Sequence, residues 1–234
     1  MSAGRSLVPL FVKLQRTEKD ALTSFQVDRF PAMTVLDVLL AIQRELDASI
    51  GFRFSCRVAM CGTCTLRVDG RSVLACQSIV PEAKKSIEIA PMAGFPVVRD
   101  LIVDTEPFWE QWKRVTPYMA PKQGLDEPAR VHPDSEERKA IDPALDCIQC
   151  GACYSSCGVA GLGKTFLGPA ALNRAMVLIT DSRDALGQER LDVVSSEGGV
   201  DRCHLMYGCT NVCPKGLDPA RAIRRLRTGR VEDK

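Results

Sequence analysis

Cys147-Ile-Gln-Cys150-Gly-Ala-Cys153-Tyr-Ser-Ser-Cys157 sets four thiols apart by two, two and three residues, and a later stretch repeats that register. In Cys203-His-Leu-Met206-Tyr-Gly-Cys209-Thr-Asn-Val-Cys213-Pro214 the second ligand position holds methionine. Runs of this spacing hold iron–sulfur clusters, and the fourth cysteine of each reaches across to the other run's cluster. If the two runs face each other, Cys147, Cys150, Cys153 and Cys213 make a complete set for a 4Fe–4S cubane. Cys157, Cys203 and Cys209 then make a three-thiolate set, which fits a 3Fe–4S cluster, the cubane lacking one corner iron. The two clusters are expected close together between helices.

Upstream lies Cys56-x4-Cys61-x2-Cys64, followed by Cys76, the plant-type ferredoxin spacing for a 2Fe–2S cluster. Two irons bridged by two sulfides need two thiolates each, so a tight loop of three ligands and a fourth from a neighbouring strand can grip opposite ends. Gly62 allows the backbone to pass close to the sulfides. A four-cysteine zinc site is the competing reading. Zinc sites usually pair two short clips at a distance, so three ligands in one loop and a lone fourth favour iron. The groups of four, four and three account for all eleven cysteines.

An odd cysteine count argues against a closed disulfide framework and for metal or redox chemistry. The chain has 234 residues, enough for two domains, and its 45% hydrophobic and 26% charged content is that of a globular protein. No stretch has the apolar length of a membrane span; the best candidate, Val35 to Ile42, is broken by Asp37. Met1 to Gln15 lacks a leader's apolar core and cleavage site and reads as mature sequence. A net charge of +2 argues against a broad nucleic-acid surface. Arg221, Arg224, Arg225, Arg227 and Arg230 concentrate near the C-terminus as a solvated helix face. A zinc-stabilised protein using that tail on nucleic acid or anionic lipid is the reading from another class; metal analysis separates the two.

The expected fold class is α+β, with a 2Fe–2S β-grasp domain at 1–104 and an all-α domain at 105–234. Strands are expected at Leu7 to Gln15, where Val8, Leu10, Val12 and Leu14 alternate, and at Ser24 to Val27. Thr34 and Asp37 form a capping box for a helix whose Leu36, Leu39, Leu40 and Leu46 make an apolar stripe. Thr65 to Val68, a turn at Asp69-Gly70, Ser72 to Ala75 and Ile87 to Ala90 complete the sheet. Beyond Thr105, proline-bearing loops separate helices, with a linker-like stretch from Pro117 to Pro133 and a helix over Gly168 to Arg183 carrying Pro169 in its first turn. Trp109 and Trp112 are expected to pack a domain interface, and His132 to be exposed. There is no dinucleotide-binding glycine fingerprint.

Cys56-Arg-Val-Ala-Met-Cys-Gly-Thr-Cys64, Val98-Arg-Asp-Leu-Ile-Val-Asp104, Asp181-Ser-Arg-Asp184 and Cys209-Thr-Asn-Val-Cys-Pro-Lys-Gly-Leu-Asp-Pro219 resemble the iron–sulfur subunit of succinate dehydrogenase and fumarate reductase. The resemblance implies a relay from the FAD of a catalytic flavoprotein subunit to quinone at a membrane anchor with or without haem b. It also implies attachment at the cytoplasmic face of the membrane, no carbon chemistry on this chain, and no nucleic-acid partner. His204 and Met206 become candidate lining residues of the quinone pocket. Gly158-Val-Ala-Gly-Leu-Gly163 departs from the proline and tryptophans usual after the fourth cysteine. A three-cluster subunit of a soluble flavin enzyme, such as thiol-driven fumarate reductase, is the alternative.

Overall fold

The computed structural model describes residues 9–17, 19–122, 130–162 and 165–229, with the side chains of 19–21 left aside. Val8, Pro128, Gly163 and Arg230 lie outside the described residues. The chain divides into two compact units, Met1–Asp104 and Thr105–Lys234.

In the first unit, β1 (Pro9–Arg16) and β2 (Lys19–Asp28) form an antiparallel pair. Leu10, Val12 and Leu14 are fully buried while their neighbours are not, the period-two signature of a strand with one covered face. β3 (Thr65–Val68), β4 (Arg71–Leu74) and β5 (Ser86–Ala90) complete a sheet of order β2-β1-β5-β3-β4. The β1–β5 pair is parallel and the others antiparallel, which makes the sheet mixed. Asp69 and Gly70, at φ 49° and 81°, make the β3–β4 turn, where two positive φ values match the twist of the hairpin.

Helix α1 (Val35–Ala41) begins at the expected capping box: the Asp37 amide donates to Thr34 Oγ1 at 3.2 Å and the Thr34 amide to Asp37 Oδ2 at 2.9 Å. Its buried side is Val35, Leu36, Val38, Leu39 and Leu40. The expected stripe fails at Leu46, which is 53% exposed. The chain widens into a π turn over Ile42–Leu46, so the 3.6-residue period is lost and Ile42 is the buried side chain of that turn.

A hairpin that periodicity did not anticipate, β6 (Val97–Arg99) with β7 (Ile102–Val103), turns at Asp100, φ 50°. Asp100 is 3% exposed and accepts from Arg16 Nε at 2.8 Å and from the Gly51 amide at 2.8 Å. This carboxylate therefore ties the end of β1 to the segment that leads into the first cysteine loop.

The second unit contains α2 (Glu106–Arg114), α3 (Glu136–Leu145), α4 (Ala152–Ser155), α5 (Gly168–Thr180), α6 (Gly187–Val194), α7 (Gly208–Asn211) and α8 (Pro219–Arg227). Helix α5 is its centre: ten of its thirteen residues are buried, and it packs against α2, α3, α4, α6 and α8. It stops at Thr180, before the expected Arg183, because Asp181 leaves the helical region and its carboxylate turns back to accept from the Arg183 amide at 3.1 Å. Trp112 is buried, its ring 6.1 Å from that of Phe108. His132 is exposed, as expected. Arg190 and Asp184, 1% and 0% exposed, form a buried ion pair. Arg190 also donates to the Val115, Thr116 and Tyr118 carbonyls, so its remaining donors are occupied.

Candidate metal centres

None of the eleven cysteines is in a disulfide. In the first unit, backbone register delivers the fourth thiol to the loop of three. Pairing of Thr65 with Leu74 across the β3–β4 hairpin puts Cys64, just before β3, beside Ala75, whose amide donates to the Cys64 carbonyl at 3.1 Å. Cys76 follows directly and lies within hydrogen-bonding reach of Cys64. In the loop itself Arg57, Ala59 and Gly62 adopt positive φ values of 60°, 56° and 70°. Alternating hand turns successive amides to one side, the geometry of an anion-binding concavity. Three of them, from Val58, Met60 and Cys61, donate to Cys56 Sγ at 3.4–3.5 Å.

The loop thiols differ sharply in acidity. Hydrogen bonds, first from the Thr63 side chain and then from the Cys56 backbone, bring exposed Cys61 down to about 6. Burial pushes Cys64 up to about 12. A thiol that burial holds neutral becomes a thiolate only when a cationic metal replaces its proton.

In the second unit the thiols sort into two cavities. One is lined by Cys147, Cys150, Cys153 and Cys213, with Ala170 and Asn173 of α5. The other is lined by Cys157, Cys203 and Cys209, with His204 and Met206. Electrostatics follows this grouping except that Cys209, of the second cavity, also acts on Cys153. Cys153 is raised well above the ordinary thiol range by burial and then by Cys150, Cys147, Cys209 and Cys213. Cys209 is raised to about 11 by burial, with Cys157 and Cys203 adding to it.

The repeated register of the two runs is present in the backbone. Gln149 and Leu205, each two residues past its first cysteine, both have φ 51°. Gly151 and Tyr207, each four past, are left-handed at 77° and 57°, and each starts a four-residue helix. The Leu205 amide donates to Cys203 Sγ at 3.4 Å, and the Gln149 amide bonds Cys147 in the same way.

A single zinc ion needs its ligand atoms about 2.0–2.3 Å from one point. Among the described residues no three His, Cys, Asp or Glu side chains converge in that manner. The thiols instead line two separate pockets, four in one and three in the other. A multi-atom cluster fits that arrangement, with soft thiolate donors and inward-turned amides to offset its negative charge.

Sequence reasoning missed two side chains at these centres. Asn173 stands in the wall of the four-thiol cavity; a polar residue beside Arg174 in a largely apolar helix was its available signal. Asp100, which holds the segment leading into the first cysteine loop, lay in the family-like stretch Val98 to Asp104, but its burial was not legible because its partners are remote in sequence.

Comparison with known proteins agrees with the geometry. Residues 10–110 match the family model for a 2Fe-2S iron-sulfur cluster binding domain, and residues 143–217 that for a 4Fe-4S dicluster domain. The succinate dehydrogenase iron-sulfur subunit of Coxiella burnetii is 36% identical over 219 residues, 92% of each chain. The mitochondrial succinate dehydrogenase [ubiquinone] iron-sulfur subunit 1 of Oryza sativa subsp. japonica is 39% identical over 200 residues, 85% of this chain and 71% of its own. In fold, the chain superposes on a solved structure titled Mycobacterium smegmatis Sdh1 complex in the apo form, with a TM-score of 0.86, 23% identity and 97% of both chains covered. With more than a third of positions shared along nine-tenths of the Coxiella chain, and both cluster-binding domains in the same order, this chain belongs to the succinate dehydrogenase iron–sulfur subunits.

Proposed function

We propose that Cys56, Cys61, Cys64 and Cys76 hold the 2Fe–2S cluster, that Cys147, Cys150, Cys153 and Cys213 hold the 4Fe–4S cluster, and that Cys157, Cys203 and Cys209 hold the 3Fe–4S cluster. The observation that carries this reading is the sorting of the helical unit's seven thiols into a cavity of four and a cavity of three. The clusters, when bound, accept and release electrons one at a time. The chain's own residues fix the ligands on left-handed turns, donate amides to thiolate sulfur, and bury the metal side of each loop. The carbon chemistry belongs to a flavoprotein partner bearing FAD, and this chain relays the electrons to quinone at a membrane anchor, with or without haem b. The subunit sits peripherally at the cytoplasmic face of the membrane. Among the described residues no helix is long and apolar enough to cross it; in this reading the anchor supplies the attachment.

His204 and Met206 line the three-thiol cavity and are exposed, Met206 by 74%. An apolar side chain so exposed beside a cluster cavity suits a pocket completed by another subunit, and the two residues are assigned to the quinone pocket on that ground.

Isolation of the intact complex tests the reading. About nine irons per chain are expected, with succinate-dependent reduction of a ubiquinone or menaquinone analogue and no such activity from the chain alone. Zinc in place of iron, or turnover by the isolated chain, would overturn it.

A further inference from the structure

Helix α5 carries two adjacent polar residues, Asn173 and Arg174, where it passes the four-thiol cavity. Around Asn173 the wall is otherwise small or apolar, from Ala170, Leu217 and Pro219. Asn173 is 2% exposed, and its Nδ2 donates to the Ala144 carbonyl at 3.1 Å. That bond fixes which end of the amide is the donor and uses one of its two N–H groups. Burying a carboxamide is costly unless its groups find partners. Thiolates and sulfides in the adjoining cavity offer acceptors. Gln149 and Lys215 also line the cavity; the first is exposed, so water weakens its influence, and the second, half-buried like Arg174, adds a positive charge of the same sign.

Arg174 is half-buried, and its Nε is held on the Pro117 carbonyl at 2.9 Å. It is the next residue along α5 after the cavity-lining Asn173.

We infer that Asn173, with Arg174 behind it, raises the reduction potential of the four-iron cluster by placing an amide donor and a fixed positive charge beside it. Cluster potentials follow hydrogen bonds to sulfur, net charge and exposure. A donor or a cation stabilises the added electron more than it stabilises the oxidised cluster. The two residues act on the cluster's environment and are not ligands. The inference rests on the ligand reading proposed above.

The test is an EPR-monitored redox titration of the intact complex in wild-type, Asn173→Leu and Arg174→Gln forms. In Asn173→Leu the four-iron midpoint is expected to move negative, by about tenfold in the oxidised-to-reduced equilibrium, which is ~59 mV for a one-electron couple. In Arg174→Gln, which leaves the buried amide in place and guards against failure of the first variant to fold, a smaller shift of the same sign is expected. The three-iron and two-iron midpoints of the same samples should stay where they are. A four-iron midpoint unmoved in Arg174→Gln and in folded Asn173→Leu overturns the inference while leaving the ligand reading intact. So does an equal shift of the three-iron midpoint, which would report general distortion of the unit. A wild-type complex without a four-iron signal removes the ligand reading, and the inference with it.

Discussion

The two cysteine runs of the helical unit share the turn geometry of their backbone and differ in side chain at eight of eleven matched places, three of which bear on the clusters. Cys150, Gly151 and Ala152 in the first run correspond to Met206, Tyr207 and Gly208 in the second. In both runs the fourth residue after the first cysteine is left-handed, and its carbonyl receives the amide four residues on, from Ser155 at 2.9 Å and from Asn211 at 3.0 Å. The last cysteine amide then bonds the residue three before it, Tyr154 in one case and Thr210 in the other. One scaffold thus presents two thiol sets. On the ligand reading proposed above, the number of irons held follows from a side chain at one position while the turn geometry stays fixed.

The largest effects should follow from exchanging that position. Met206→Cys adds a fourth thiol to the three-thiol cavity, and conversion of the oxidised three-iron EPR signal into a four-iron one is expected. An unchanged three-iron signal in a folded variant would break the equivalence of the two runs. The reciprocal change, Cys150→Met, removes one thiolate from the four-thiol set. Its expected outcome is loss of about one iron per chain, from about nine, with a second three-iron signal; metal analysis beside EPR reads both.

A smaller effect sharpens the comparison at the start of the short helices. Ala152 is buried without conflict, but a Cβ at Gly208 would stand 2.6 Å from the Ser156 carbonyl oxygen. Real Cβ atoms do not approach backbone so closely, and the contact is with the end of the first run's own helix. Gly208→Ala is therefore expected to cost about 1–3 kcal/mol through overpacking, measured by urea denaturation of the assembled protein. A neutral result would mean that the two runs can separate without loss.

Much of this arrangement was legible in the sequence, and the exceptions have physical causes. Thiol spacing alone set out the groups of four and three, and these are the sets that line the two cavities. Period-two burial in β1 and the Thr34–Asp37 box also followed, because both are local rules. Leu46 broke its pattern because a π turn shifts the face by one residue, and periodicity assumes a constant turn. The β6–β7 hairpin is too short to carry a period, and its turn is held by Arg16, remote in sequence. Arg190 offered no signal, since a charged side chain on a short helix reads as exposed, yet Asp184 and three carbonyls enclose it. Gly158 marked a departure after the fourth cysteine, and its Cβ position lies 3.8 Å from Met206 Sδ, so that departure borders the missing ligand position.

The smallest effect concerns Tyr207, which occupies at φ 57° the conformation that Gly151 occupies at 77°. A left-handed residue with a side chain costs about 1–2 kcal/mol relative to one without. Tyr207→Gly relieves that strain but gives back up to ~1 kcal/mol through the greater freedom of glycine in the unfolded chain. The side chain is 42% exposed and so contributes only part of its apolar area to burial. A net gain of about 0.5–1 kcal/mol is expected, read as a rise in the thermal midpoint with all three EPR signals retained. A loss of stability instead would mean that the tyrosine ring packs the rim of the three-thiol cavity more strongly than its turn is strained. In that event the second run has kept tyrosine for its contacts, and the likeness of the two runs ends at the backbone.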